Sequence, residues 1–172
     1  YRENRLKDAL SEFQAAAAVL PEFGEVHTTL GTVHLRLQQY PEAEKAYRRA
    51  IEIDPDDAAP HYNLGVGLLR QSKYDAAIVA LKRAVELEPA SEPGLTNLGA
   101  AYLGRGLDDL ARQVLEQAVK TDPESTAAHY NLGLAYERLD RPKDAEREFK
   151  EALSADPKHE DAKKSLERVR KK

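Results

Sequence analysis

The 172-residue sequence has no cysteine, no methionine and no tryptophan, and only three phenylalanines. Without cysteine there can be no disulfide framework, thiolate metal site or cysteine nucleophile. That absence fits a reducing cytoplasm and an oxidising periplasm alike; the reading leans to the cytoplasm. No apolar run approaches the roughly 18 residues of a membrane span, so no membrane insertion is expected. An initiator methionine and a basic-then-apolar leader are also missing, and the expectation is a segment of a longer protein. What is present, 33% charged and 41% hydrophobic residues, is compatible with a globular core.

The sequence is dominated by one repeat. "HYNLG" occupies 61–65 and 129–133, with "LTNLG" at 95–99 between them. The spacing is 34 residues, and it carries Leu30, Leu64, Leu98 and Leu132, each followed by a glycine (Gly31, Gly65, Gly99, Gly133). At fixed offsets beyond them come Ala43, Ala77, Ala111 and Ala145, then Ala50, Ala84, Ala118 and Ala152, then Pro55, Pro89, Pro123 and Pro157. Four full repeats result: 24–57, 58–91, 92–125 and 126–159. Residues 1–23 match the second half of another through Ala9, Phe13, Ala16 and Pro21.

Each repeat carries two helical stripes. His61, Leu64, Gly65 and Leu68 follow the i, i+3, i+4, i+7 rule of a first helix, A. Tyr74, Ala77, Ile78, Leu81, Ala84, Val85 and Leu87 form a second, B, ending at Glu88 before Pro89 because a proline disfavours helical backbone in its predecessor. A glycine inside a helix costs about 1 kcal/mol against alanine. Four at one register position therefore need a packing reason, and the expectation is close approach of helix B at its small Ala77-type position. Residues 160–172, with a narrow Ala162, Leu166, Val169 stripe in an otherwise polar segment, read as a capping helix. Ten helices are expected in all.

This pattern resembles the tetratricopeptide repeat, a helix-turn-helix unit of 34 residues, over essentially the whole chain. The resemblance implies an all-α fold, an alpha-alpha superhelix of right-handed twist in one solenoid domain. It also implies that helix A lines a concave groove that receives protein partners. The chain departs from the pattern at the usual tryptophan place, filled by His27, His61, Leu95 and His129, and at Asp108 and Pro142, which stand where Tyr40 and Tyr74 precede helix B. Pro142 is tolerated as a first-turn residue.

One face of helix A reads oddly for solvent. Thr28, Tyr62, Thr96 and Tyr130 share a position, as do Thr32, Val66, Ala100 and Leu134, and Leu35, Leu69, Leu103 and Glu137; Arg36, Arg70 and Arg138 flank them. Helix B has a charged outer side, for example Lys82, Arg83 and Glu86. The candidate partner-binding residues are Arg36, Tyr62, Asn63, Val66, Leu69, Arg70, Asn97, Ala100, Leu103, Tyr130, Asn131, Leu134 and Arg138. An apolar or amphipathic segment carrying acidic residues is the expected occupant, because arginine engages carboxylates bidentately. The row Asn63, Asn97, Asn131 could serve a peptide backbone, resembling the asparagine ladder of the O-linked N-acetylglucosamine transferase repeats. Local hydrogen bonding is the favoured reading. The carboxylate-clamp set of the co-chaperone relatives is absent: Thr28 and Thr32, or Tyr62 and Val66, stand at its lysine and asparagine places.

Catalytic chemistry finds no support. The five histidines lack metal-ligand spacing and match the packing stripe. Asp54, Asp122 and Asp156 precede prolines in turns, where turn chemistry accounts for them. No phosphate loop, nucleophile elbow or triad pattern occurs, so neither an enzyme nor a cofactor is expected. The net charge is −4, with six basic residues against one acidic in 163–172, leaving the other 162 residues at −9 and unsuited to nucleic acid. The basic tail is read as opposing a helix dipole. Two functional classes remain, a peptide-binding adaptor and, as the alternative, a scaffold that assembles with other copies of itself.

Overall fold

Each repeat folds as a pair of helices because its two apolar stripes are separated by a break that backbone chemistry enforces. In the computed structural model, which describes residues 2–171, ten α-helices and no strands are present among the described residues. They are α1 (Arg2–Val19), α2 (Gly24–Arg36), α3 (Tyr40–Ile53), α4 (Ala58–Arg70), α5 (Tyr74–Leu87), α6 (Glu92–Arg105), α7 (Asp108–Thr121), α8 (Thr126–Arg138), α9 (Pro142–Ala155) and α10 (Glu160–Arg170). The expected count of ten and the all-α class are both observed. Tyr1 and Lys172, the first and last residues of the expected terminal segments, lie outside the described residues. The second helix of each repeat includes Tyr40, Tyr74, Asp108 or Pro142 as its first residue, and α5 stops at Leu87, one residue earlier than the Pro89 argument placed it.

The break between helices A and B is a left-handed residue at one repeat position: Gln38 (φ 59°), Ser72 (φ 56°), Gly106 (φ 79°) and Asp140 (φ 55°). Around each, the amide of the following residue reaches back five residues, Gln39 to His34 O at 2.9 Å, Lys73 to Leu68 O at 3.0 Å, Leu107 to Tyr102 O and Arg141 to Tyr136 O at 2.9 Å. This is a Schellman termination, and it satisfies carbonyls that the helix end would leave open. Between repeats, the Asp54, Asp122 and Asp156 carboxylates accept from the amides two residues on, at 3.1, 3.0 and 2.9 Å. These are Asx turns, as the Asp-Pro sequences suggested. The next helix is then capped by Asp57, Ser91, Ser125 or the His159 imidazole.

The glycine expectation needs correcting. A Cβ on Gly31, Gly65, Gly99 or Gly133 would meet Tyr47, Leu81, Leu115 or Phe149 at 2.4 to 2.6 Å. The glycine therefore makes room for the largest fully buried side chain of helix B, which is 0 to 1% exposed in all four repeats, and not for the small Ala77-type residue. A large knob seated in a glycine hole buries more apolar surface than two small residues in contact would.

The chain forms two compact units, Tyr1–Leu87 and Glu88–Lys172. In the first, α2 packs on α1, α3 and α4, and α4 on α3 and α5. In the second, α8 packs on α6, α7, α9 and α10, so the polar C-terminal helix covers the α8–α9 pair. Its buried stripe is Ala162, Ser165 and Val169; Leu166 is only half-buried.

Candidate protein-interaction site

In the first unit, the candidate residues lie on α2 and α4, which pack together. Tyr62, Asn63, Val66 and Leu69 are half-buried, and Arg36 and Arg70 are exposed at the C-terminal ends of the two helices. A cation is favourable there because the free carbonyls carry partial negative charge. Neither guanidinium has a hydrogen bond or ion pair among the described residues. Both are close enough to Tyr47 to oppose the upward push that burial gives its phenol, whose hydroxyl donates to Thr32 Oγ1 at 3.2 Å. Both arginines thus stand at helix ends flanking the half-buried apolar strip.

The second unit differs. Asn97, Ala100, Tyr130, Asn131 and Leu134 are half-buried on α6 and α8. Leu103, expected on the floor, is only 5% exposed and offers a partner almost no surface. The equivalent Leu35 in the first unit, 7% exposed, gives the reason: its Cδ1 packs 3.4 Å from where a Gly67 Cβ would stand. This register position is a contact between successive A helices, and truncating Leu103 would leave a cavity costing about 2–5 kcal/mol. Arg138 is also engaged, donating through Nη1 to Leu103 O and to Asp108 Oδ1 at 3.4 Å. Tyr130 lies 4.8 Å from the His159 ring. Asn97 Nδ2 donates to Pro93 O at 2.9 Å, the local bonding favoured for this row, whereas Asn63 and Asn131 have no hydrogen bond within the described residues.

The histidines serve packing. His27, His61 and His129 each donate through Nε2 to the carbonyl of the proline six residues earlier, at 2.8, 3.1 and 3.0 Å. His34 Nδ1 bonds Gln39 Oε1 at 2.7 Å. No cluster of three or more potential metal ligands occurs among the described residues. Sequence reading missed a recess between α1, α2 and α3 bounded by His27, Leu30 and His34. Its signal was present in the differences between repeats, not in what they share.

Two tetratricopeptide-repeat family models match the chain, one over residues 1–58, 28–92 and 96–160 and the other over 68–120. The chain belongs to the tetratricopeptide repeat family. This tetratricopeptide chain resembles the crystal structure of MamA at 25% identity, covering 91% of this chain and 92% of that one with a TM-score of 0.83. It also resembles YrrB, described as a TPR protein with an unusual peptide-binding site, at 23% identity, 95% and 84% coverage and a TM-score of 0.83. A third similar structure is pilF of Pseudomonas aeruginosa, at 18% identity, 99% and 78% coverage and a TM-score of 0.87. The last two likenesses are of fold alone. No curated protein matches the chain. Within this family the repeats form protein-interaction modules, typically non-catalytic, and the partners of this tetratricopeptide chain are proteins.

Proposed function

We propose that the α2–α4 face binds an apolar or amphipathic segment of a partner protein through its half-buried strip and grips acidic residues of that segment with Arg36 and Arg70. The supporting observation is the state of the arginines. Arg48, Arg49, Arg83, Arg112, Arg138, Arg141, Arg147, Arg168 and Arg170 are all paired with carboxylates. In a chain carrying 30 acidic residues, Arg36 and Arg70 are left unpaired beside Val66, Leu69 and Tyr62. A guanidinium so placed is available for bidentate contact with a carboxylate. The second unit, taken by itself, offers Tyr130, Asn131, Leu134, Ala100 and Asn97 as a less charged surface of the same kind, with Arg138 given to the fold.

Selection of displayed peptides on the purified protein tests the reading. Enriched sequences should combine apolar residues with aspartate or glutamate. Arg70→Glu should weaken their capture at least tenfold, with the loss reduced at high salt, and Tyr62→Ala should weaken it at nearly unchanged melting temperature. Enrichment of basic peptides, or capture indifferent to Arg70→Glu, would overturn it. A self-assembling scaffold is favoured by one observation, the exposure of Val19 (78%), Leu20 (51%) and Phe23 (50%). It requires growth of mass with concentration in light scattering, lost in Val19→Asp.

A further inference from the structure

The recess between α1, α2 and α3 is a cleft of about 370 Å³, and its lining includes Gln14, His27, Leu30, His34, Lys45 and Ala46. Three repeats further on, each of these has a counterpart between α7, α8 and α9: Glu116, His129, Leu132, Tyr136, Arg147 and Glu148. There the same space is occupied by the chain itself. Tyr136, 5% exposed, donates its hydroxyl to Glu116 Oε1 at 2.8 Å. Glu148, 6% exposed, accepts from Arg147 at 2.9 Å through Oε1 and meets His129 Nδ1 at 2.8 Å through Oε2. Leu132 beneath them is 2% exposed.

In the first unit both space-filling residues are replaced. His34 stands in place of Tyr136, its Nδ1 engaged with Gln39, and Ala46 stands in place of Glu148. The groups that hold the tyrosine and the glutamate are nonetheless present. Gln14 offers an amide oxygen where Glu116 accepts the phenol. His27 keeps the anchoring bond to Pro21 O at 2.8 Å through Nε2, as His129 does to Pro123 O, and leaves Nδ1 uncommitted. Lys45 carries its cation where Arg147 binds the carboxylate. The Gln14 amide, the His27 Nδ1 and the Lys45 ammonium have no hydrogen bond or ion pair among the described residues. Leu30 is half-buried, whereas Leu64, Leu98 and Leu132 at its register position are buried. Glu42 on the rim does not disqualify a carboxylate, because Asp144 stands at the same position beside Glu148 and pairs with Arg147.

We propose that this cleft binds a tyrosine side chain of a partner protein together with an adjacent acidic residue, supplying from outside what Tyr136 and Glu148 supply from within. The ring lies over Leu30 and its hydroxyl donates to the Gln14 amide oxygen. The carboxylate is held between Lys45 and His27 Nδ1–H, the ring binding it as an imidazolium because its Nε2–H is already donated to Pro21 O. Apolar contact gives the ring its affinity, and the three polar groups select a phenol over a phenyl and an acid over an amide. The site is separate from Arg36 and Arg70, so either can fail without the other.

The test is an NMR titration of the whole chain with acetyl-Glu-Glu-Tyr-Glu-Glu-amide. The Leu30 methyls and the His27 and His34 ring signals should shift, and K45E should weaken binding about tenfold. The peptide with phenylalanine for tyrosine, and the one with glutamine for every glutamate, should each bind several-fold more weakly. The double variant H34Y/A46E, which restores the internal occupants, should abolish the shifts, while R70E should leave them unchanged. K45E, on the rim, gives a reading that does not depend on how the double variant packs. Shifts absent from Leu30, His27 and His34, equal binding of the three peptides, or K45E binding as well as the parent would each overturn the proposal.

Discussion

At Gly99 a methyl group would stand 2.4 Å from Leu115 Cγ, a branch carbon of a fully buried side chain that cannot swing aside as a chain end would. Propensity alone makes Gly99→Ala favourable by about 1 kcal/mol. Overpacking a filled core costs about 1–3 kcal/mol, and steric conflict at this distance decides the sign. Gly99→Ala should lower stability by up to about 2 kcal/mol in chemical denaturation, and Gly99→Ala combined with Leu115→Ala should lose less than the two changes separately. A stabilised Gly99→Ala would sink the account. The sequence declared that the glycine position was constrained, because the same residue returned at one register position in every repeat. It did not declare the partner. A helical stripe gives the direction in which a residue points, but not the size of the residue that fills the opposing space, so Ala77 and Leu81 were equally placed by spacing. The same limit hid Leu103. Its angle around the helix is that of the half-buried Leu69, yet it is only 5% exposed.

Between elements, repetition made the helices legible and concealed their differences. Stripes, prolines and Asx turns located all ten helices because each is a local signal. What joins α7, α8 and α9 is not local: Tyr136 donates to Glu116 from another helix and lies 4.6 Å beneath the Arg141 guanidinium. Burial first, then the hydrogen bond to the Glu116 carboxylate, pushes the Tyr136 phenol up from 10 to about 12. Burial acts to raise the Glu116 carboxyl as well, but bonds from Tyr136 and Arg112 outweigh it and hold that group below the usual range. The phenol ionises later in the folded chain than in the unfolded one. Its contribution is therefore complete below pH about 10 and is lost as pH rises through about 12, amounting to about 2–3 kcal/mol for a two-unit difference. Lysine titration affects parent and variant equally. The stability difference between the parent and Tyr136→Phe should thus shrink between pH 10 and 12 in denaturant titrations. A constant difference would mean that the phenol is not held in this way.

For the molecule as a whole, charge argues about partners more sharply in three dimensions than in one. The total is −4, yet residues 163–172 read as a basic tail of the kind that attracts phosphate. The fold consumes much of it. Arg168 donates twice to Glu137, at 2.7 and 2.6 Å, Arg170 reaches Glu146 at 3.1 Å, Lys163 pairs with Glu160 at 2.8 Å and Lys164 lies 3.7 Å from Asp161. Two of these pairs tie α10 back to α8 and α9, so they belong to the packing of the terminal helix and not only to the dipole effect read from sequence. Binding to a polyanion scales with the number of cations free to displace condensed counterions, and a cation already matched to a carboxylate contributes little. The chain should therefore leave the anisotropy of labelled single- and double-stranded DNA unchanged even at about 50 mM salt, where such contacts are strongest. Anionic vesicles should likewise fail to retain it, because surface attraction to anionic lipid draws on the same free cations. Replacing Glu137 and Glu146 by glutamine frees Arg168 and Arg170, and weak, salt-sensitive DNA binding should then emerge. Binding by the parent chain that survives 200 mM salt would show that the tail is not neutralised, and would return nucleic acid to the set of partners.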